Sequence, residues 1–146
     1  MQLGVREVEG NKPMKMFTIA AVLCGFAGVA QAQGYVCTLK TNGSSFAPEA
    51  LAMDFDSSGK TATVYGPVIE WAKGAPMKAK TRKRNDGQIE VRWSMTLPSR
   101  PIRAYARYRV VFNQDTKQMT LNATLRNADN DVHGRGTCAP EDWLRS

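Results

Sequence analysis

The sequence predicts an all-β domain: an antiparallel meander of about eight strands closing into a small barrel, with a β-sandwich as the alternative architecture. Three observations carry this. Apolar residues recur with a period of two through most of the chain after Gln33. Clusters of Asn, Asp, Gly, Ser and Pro separate those runs at short intervals, too short for the crossovers that a parallel sheet needs. Cys37 and Cys138 stand near opposite ends of this region, where a disulfide would set the first strand beside the last, as in a closed sheet.

Taken in order, Tyr35, Cys37 and Leu39 share one face of a first strand that ends at the turn-forming Asn42-Gly43-Ser44-Ser45. Leu51, Met53 and Phe55 oppose Asp54 and Asp56 in a second strand, although Pro48 to Ala52 could also form a helical turn. Ser57 to Lys60 turns the chain into a strand from Thr61 to Tyr65, Gly66-Pro67 bends it, and Val68 to Trp71 reads as a further short strand. Lys78 to Arg84 leads into Asn85-Asp86-Gly87, whose Asp-Gly pair suits the positive backbone angles of a tight hairpin. On the return, Ile89, Val91, Trp93, Met95 and Leu97 alternate with Glu90, Arg92, Ser94 and Thr96. Pro98 and Pro101 break the pairing. Next, Ala104, Ala106, Tyr108, Val110 and Phe112 share a face opposite Arg103, Tyr105, Arg107 and Arg109. A turn from Asn113 to Lys117 precedes Met119, Leu121, Ala123 and Leu125, which alternate with Thr120, Asn122, Thr124 and Arg126. A polar loop from Asn127 to Asp131 then leads to a last strand from Val132 to Cys138.

The first 32 residues follow a different logic. Lys12 and Lys15 precede an apolar run of about 14 residues from Phe17 to Ala30, followed by the small-residue pattern Ala30-Gln31-Ala32. Positive start, apolar middle and A-x-A end are the parts of a secretory signal, cleaved near Ala32. The run falls short of the roughly 20 residues that cross a bilayer as a helix. Arg6, Glu7 and Glu9 are unusual ahead of a signal, which makes Met14 or Met16 the alternative start. Cys24 leaves with the signal, and Leu23 before it does not suit a lipid-attachment site. Residues 33–146 are then a single domain in the periplasm or outside the cell, where the Cys37–Cys138 disulfide persists.

Positive charge is concentrated. From Lys73 to Arg109 the chain holds eleven Lys or Arg against two acidic residues, Asp86 and Glu90. Arg103, Arg107 and Arg109 share their strand face with Tyr105, and Arg92 points outward from the strand before, so pairing of the two would line one sheet face with arginine. Guanidinium groups grip carboxylates and phosphates bidentately, which makes these five residues candidates for binding an anionic lipid, glycan or envelope protein. Nucleic acid is less available in that compartment. The competing reading is a solvated face that keeps the sheet soluble. On the inward side, Trp93, Tyr108 and Ala106 are candidates for lining a pocket, since a small eight-stranded barrel either fills its interior or holds one small ligand.

Catalytic chemistry finds little support. His133 is the sole histidine, lies between Val132 and Gly134, and joins no Ser-His-Asp, Cys-His or metal-ligand spacing. No G-x-S-x-G nucleophile elbow occurs. Asp129 and Asp131 could approach a calcium ion but lack the Gly and distal Glu of a calcium loop. No cofactor, metal or catalytic residue is expected.

The segments Tyr35-Val-Cys37-Thr-Leu39 and Gly136-Thr-Cys138 resemble the start and end of a group of uncharacterised short secreted bacterial proteins, a likeness that spans most of the mature chain and implies no activity. Tyr35-Val-Cys37 and Trp71-Ala-Lys-Gly74 also resemble motifs of the periplasmic lysozyme-inhibitor barrels of the MliC type. That family's Ser-Gly followed by Tyr before a C-terminal Trp-x-Lys-Gly is not reproduced, and Trp71 comes early in the chain. The expected function is thus non-catalytic binding through the arginine face. A lipocalin-like carrier of a small apolar ligand and a lysozyme inhibitor are the alternatives.

Overall fold

The computed structural model describes residues 33–99, 103–126 and 131–144. Eight strands form a closed barrel in sequence order: β1 (Gln33–Thr41), β2 (Ala50–Phe55), β3 (Thr61–Tyr65), β4 (Met77–Lys83), β5 (Gln88–Leu97), β6 (Ala104–Asn113), β7 (Gln118–Arg126) and β8 (Val132–Pro140). Every neighbouring pair is antiparallel, including β1 with β8, which closes the ring. The meander and the barrel follow as expected from strands joined by short turns. Asp86 (φ 63°) and Gly87 (φ 72°) take the positive angles that the β4–β5 hairpin requires.

The period-two pattern becomes an inside and an outside. Tyr35, Cys37, Leu39, Val91, Trp93, Met95, Tyr108, Val110, Phe112, Leu121 and Ala123 are buried, while their neighbours Arg92, Ser94, Arg107, Arg109, Thr120 and Asn122 are exposed. Large inward side chains meet small ones such as Ala62, Ala79, Ala104 and Ala106, so that layers interlock. Tyr35, Phe55 and Phe112 form an aromatic cluster, with ring centroids 4.7 to 6.0 Å apart. An apolar interior under a polar exterior is the reverse of a lipid-facing barrel, which carries its apolar band outside. Among the described residues no helix is long and apolar enough to cross a membrane.

Cys37 and Cys138 are direct cross-strand partners on β1 and β8, with Cα atoms 3.9 Å apart, and are disulfide-bonded. The bridge lies on the inner face of the closing seam. Such a bond fits an oxidising compartment. Residues 1–32, expected from the sequence to be a secretory signal, lie outside the described residues, as do Arg100 and Asp129.

One element differs in kind. Val68 to Trp71, expected as a strand, belongs to a helix, α1 (Pro67–Lys73), between β3 and β4. Consecutive Val68 and Ile69 are both buried, which a helix allows but a two-sided strand does not. Pro67 occupies the first turn, where its missing N–H is not needed. Gly74 (φ 73°) ends the helix, donating its N–H to the Glu70 carbonyl at 2.8 Å. Pro48 to Ala52 forms no helical turn, since Ala50 already opens β2. Beyond β8, Glu141 N–H donates to Gly34 O at 2.9 Å, and Trp143 Nε1 donates to Met53 O at 3.0 Å while its ring stacks on Tyr65.

Candidate functional site

Strand pairing sets the arginines. Arg92 and Arg109 are direct partners across β5 and β6, Ser94 faces Arg107, Thr96 faces Tyr105, and Lys80 of β4 faces Arg92 from the other side. Two like charges placed opposite each other destabilise a sheet unless something lies between them. Glu90 does so. Two residues before Arg92, it points to the same outer face, and Arg82 of β4 is its cross-strand partner. Its carboxylate accepts from Arg109 Nε at 2.6 Å, Arg92 Nε at 2.8 Å and Arg82 Nη2 at 2.8 Å.

The exposures show how this cluster is built. Glu90 is 1% exposed, while the side chains of Arg82, Arg92 and Arg109 are 66%, 57% and 46% exposed. The carboxylate is hidden beneath guanidinium groups on the outside of the barrel, and those groups remain open to water. Burial by itself would raise the carboxyl's pKa. Hydrogen bonds from Arg109, Arg92 and Arg82 outweigh it and bring the value from 4.5 to about 2. Because each arginine directs one N–H at Glu90, much of its donor set still faces outward, held in a fixed position.

A lowered folded pKa stabilises the protein above the carboxyl's ordinary value, and that contribution disappears as pH falls through about 2. Glu90→Gln should therefore lower stability at neutral pH. Water around the exposed arginines screens the interaction, so the expected loss is about 1–2 kcal/mol. The difference between parent and variant in urea unfolding should hold down to the ordinary carboxyl range and shrink below it. A gap that persists unchanged at the lowest pH would contradict the assigned ion pairs.

Tyr105 joins the same face. Its hydroxyl is held below the ordinary value chiefly by a side-chain hydrogen bond with Ser94, helped by the positive charges of Arg107 and Arg126 against some desolvation. The Arg126 guanidinium lies 5.4 Å from the centre of the Tyr105 ring. Arg103 is exposed but precedes β6, and the β5–β6 ladder ends at Leu97 and Ala104, so it does not join the arginine row. Pro98 next to the ladder's end has no N–H with which to extend it. Sequence reasoning thus grouped Arg92, Arg107, Arg109 and Tyr105 correctly on one surface, and missed Arg82 and Glu90. The two-residue spacing of Glu90 and Arg92 was the available signal, since it puts both on one face of a strand.

Inside the barrel, Trp93 and Tyr108 are cross-strand partners whose rings stack, with centroids 5.2 Å apart and planes at 8°. Ala106 is fully buried next to them, paired with Met95 and Leu125. The Tyr108 hydroxyl donates to Phe46 O at 2.7 Å, and burial pushes its pKa well above the ordinary value. Trp93 Nε1 is buried with no hydrogen-bond partner among the described residues. His133 is exposed, and its Nδ1 lies 2.7 Å from Oδ1 of Asn122, its cross-strand partner. Among the described residues no three potential metal ligands cluster. Trp71-Ala-Lys-Gly74, which resembles the lysozyme-inhibitor motif, forms the end of α1. Comparison of the chain with family models, with curated proteins and with solved structures returned no match.

Proposed function

We propose that the domain is an exported, non-catalytic binding protein whose outer face across β4, β5 and β6 engages an anionic component of the cell envelope. One observation carries this reading: Arg82, Arg92 and Arg109 are arranged around a single buried carboxylate, which leaves the cluster net positive, with Lys80 and Arg107 alongside. Glu90 already fills the central anion position, so one small anion gains little there. A polyanion gains more. Alternate residues along a strand lie about 7 Å apart and neighbouring strands about 5 Å apart, a spacing that several phosphates or carboxylates of one glycan or lipid surface can match.

The test is a titration with phosphatidylglycerol vesicles and, separately, with a uronic-acid oligosaccharide, each at low and high salt. Binding to one of them should weaken as salt rises. Arg92→Ala combined with Arg109→Ala should cost about tenfold in affinity, corresponding to about 1.4 kcal/mol. Salt-insensitive binding, or none to either probe, removes the reading.

A carrier function has one observation of its own in favour, the unpartnered indole N–H of Trp93 in an otherwise apolar interior. An apolar ligand with a single acceptor would satisfy it. Native mass spectrometry of protein prepared without denaturation should then show a retained mass, and a bare chain mass would remove the carrier.

A further inference from the structure

Trp71 leaves 49% of its surface exposed, although it is one of the largest apolar side chains in the domain. It does not hang loose. Its ring stacks against Phe46, with centroids 6.3 Å apart and planes at 22°. The helix that carries it is tied to β3 by a hydrogen bond from the Tyr65 hydroxyl to Glu70. The loop that carries Phe46 is tied to the interior by the Tyr108 hydroxyl, which holds the Phe46 carbonyl. The buried tyrosine thus acts as a strut for the rim. Two separate anchors fix an aromatic pair whose outer surface meets water.

A cleft of about 430 Å³ opens beside that ring, within the range of small-molecule sites. Its walls include Ser44, Ser45, Pro48, Glu49 and Pro67. The Ser44 hydroxyl accepts from Phe46 N–H at 3.2 Å, which orients its oxygen and leaves its own proton to donate. The cleft therefore sets one broad apolar plane against hydroxyls and a carboxylate.

From this arrangement we propose that the rim is a subsite for a neutral pyranose ring. The C–H face of a pyranose is apolar and flat enough to lie on an indole, while its equatorial hydroxyls donate to a carboxylate and exchange hydrogen bonds with serine. An apolar side chain in the same place would strip water from Ser44, Ser45 and Glu49 and return nothing. The negative charge of Glu49, with Glu70 beside Trp71 on α1, argues against an acidic sugar at this point. The subsite does not rest on the arginine face, which belongs to other strands and another chemistry.

The deciding experiment is NMR of the indole N–H groups of Trp71, Trp93 and Trp143 during titration with neutral oligosaccharides of glucose and of N-acetylglucosamine. The Trp71 signal should move in a saturable way with a dissociation constant in the millimolar range, as befits a single platform, while Trp93 stays still. Trp71→Ala should weaken binding at least tenfold, Trp71→Phe should keep part of it, and Glu49→Gln should weaken it with the fold intact by circular dichroism. None of these should alter salt-dependent binding of the anionic probes. If no sugar moves Trp71 at millimolar concentration, or if phosphatidylcholine vesicles move it and sugars do not, the subsite is overturned. The parent titration decides this alone should a variant fail to fold.

Discussion

Replacing both Cys37 and Cys138 with alanine, or reducing the bond, is expected to lower stability by about 4–5 kcal/mol. The bridge spans 101 residues of sequence, so it removes much of the freedom of the unfolded chain. It also joins the two strands whose pairing closes the barrel, and a small domain has little stability to spare. Urea unfolding with and without reductant should show the midpoint fall sharply. The arginine face should survive wherever the reduced protein stays folded. It lies on β4 to β6, and β5 is separated from β1 by three intervening strands in either direction round the ring. Reduced but folded protein should thus keep its salt-dependent binding of the anionic probe. An unchanged urea midpoint would show that the seam holds without its covalent link.

Gly136→Ala is expected to cost about 3 kcal/mol, at the upper end of the usual range for forcing an extra carbon into a packed site. Gly136 faces inward on β8 opposite Leu39, and a Cβ there would come within 2.2 Å of Thr38 O and 3.1 Å of the Leu39 Cα. Both are backbone atoms. Relief requires β1 and β8 to separate, which strains the ladder beside the disulfide. Gly134, two residues earlier on the same inner face, supplies the control. A Cβ there would meet the methyl ends of Leu39 and Thr41 at 3.3 Å, which can give way, and the Lys40 backbone oxygen at 3.5 Å, an ordinary van der Waals contact. Gly134→Ala should therefore change stability by less than about 1 kcal/mol. Similar urea midpoints for the two variants would refute a close strand approach at Gly136.

Much of the barrel was legible because its cause is local. Ile89 to Leu97 and Ala104 to Phe112 write their inward and outward faces residue by residue, and a side chain's direction in a strand depends only on its position. The hairpin at Asp86-Gly87 is equally local. Val68 to Trp71 misled because β-branched residues suggest a strand, whereas Pro67 and Gly74 at its ends carried the helical signal. The candidate site was half legible. Arg92, Arg107, Arg109 and Tyr105 fall on one face by alternation, but Glu90 counted only as an opposing charge among many basic ones. Its central place depends on which residue of β4 pairs with it and which arginine of β6 lies diagonal to it. The rim platform was not legible at all, since Phe46 and Trp71 are 25 residues apart in sequence, one between β1 and β2 and the other on α1, and meet only in the folded domain.

The amino-acid sequence by itself therefore determined the strands apart from the misread Val68 to Trp71, together with the two faces, the pairing of Cys37 with Cys138 and the basic character of one surface. All of these follow from periodicity, turn chemistry and composition, which act over a few residues or over the whole chain at once. Only the tertiary structure decided that a single buried carboxylate organises the arginines, that Tyr108 braces the rim and that β8 needs glycine at 136. Each of these depends on register and on the curvature of a closed sheet. A slip of two residues in the register would keep the same faces inward and outward and yet put different atoms in contact.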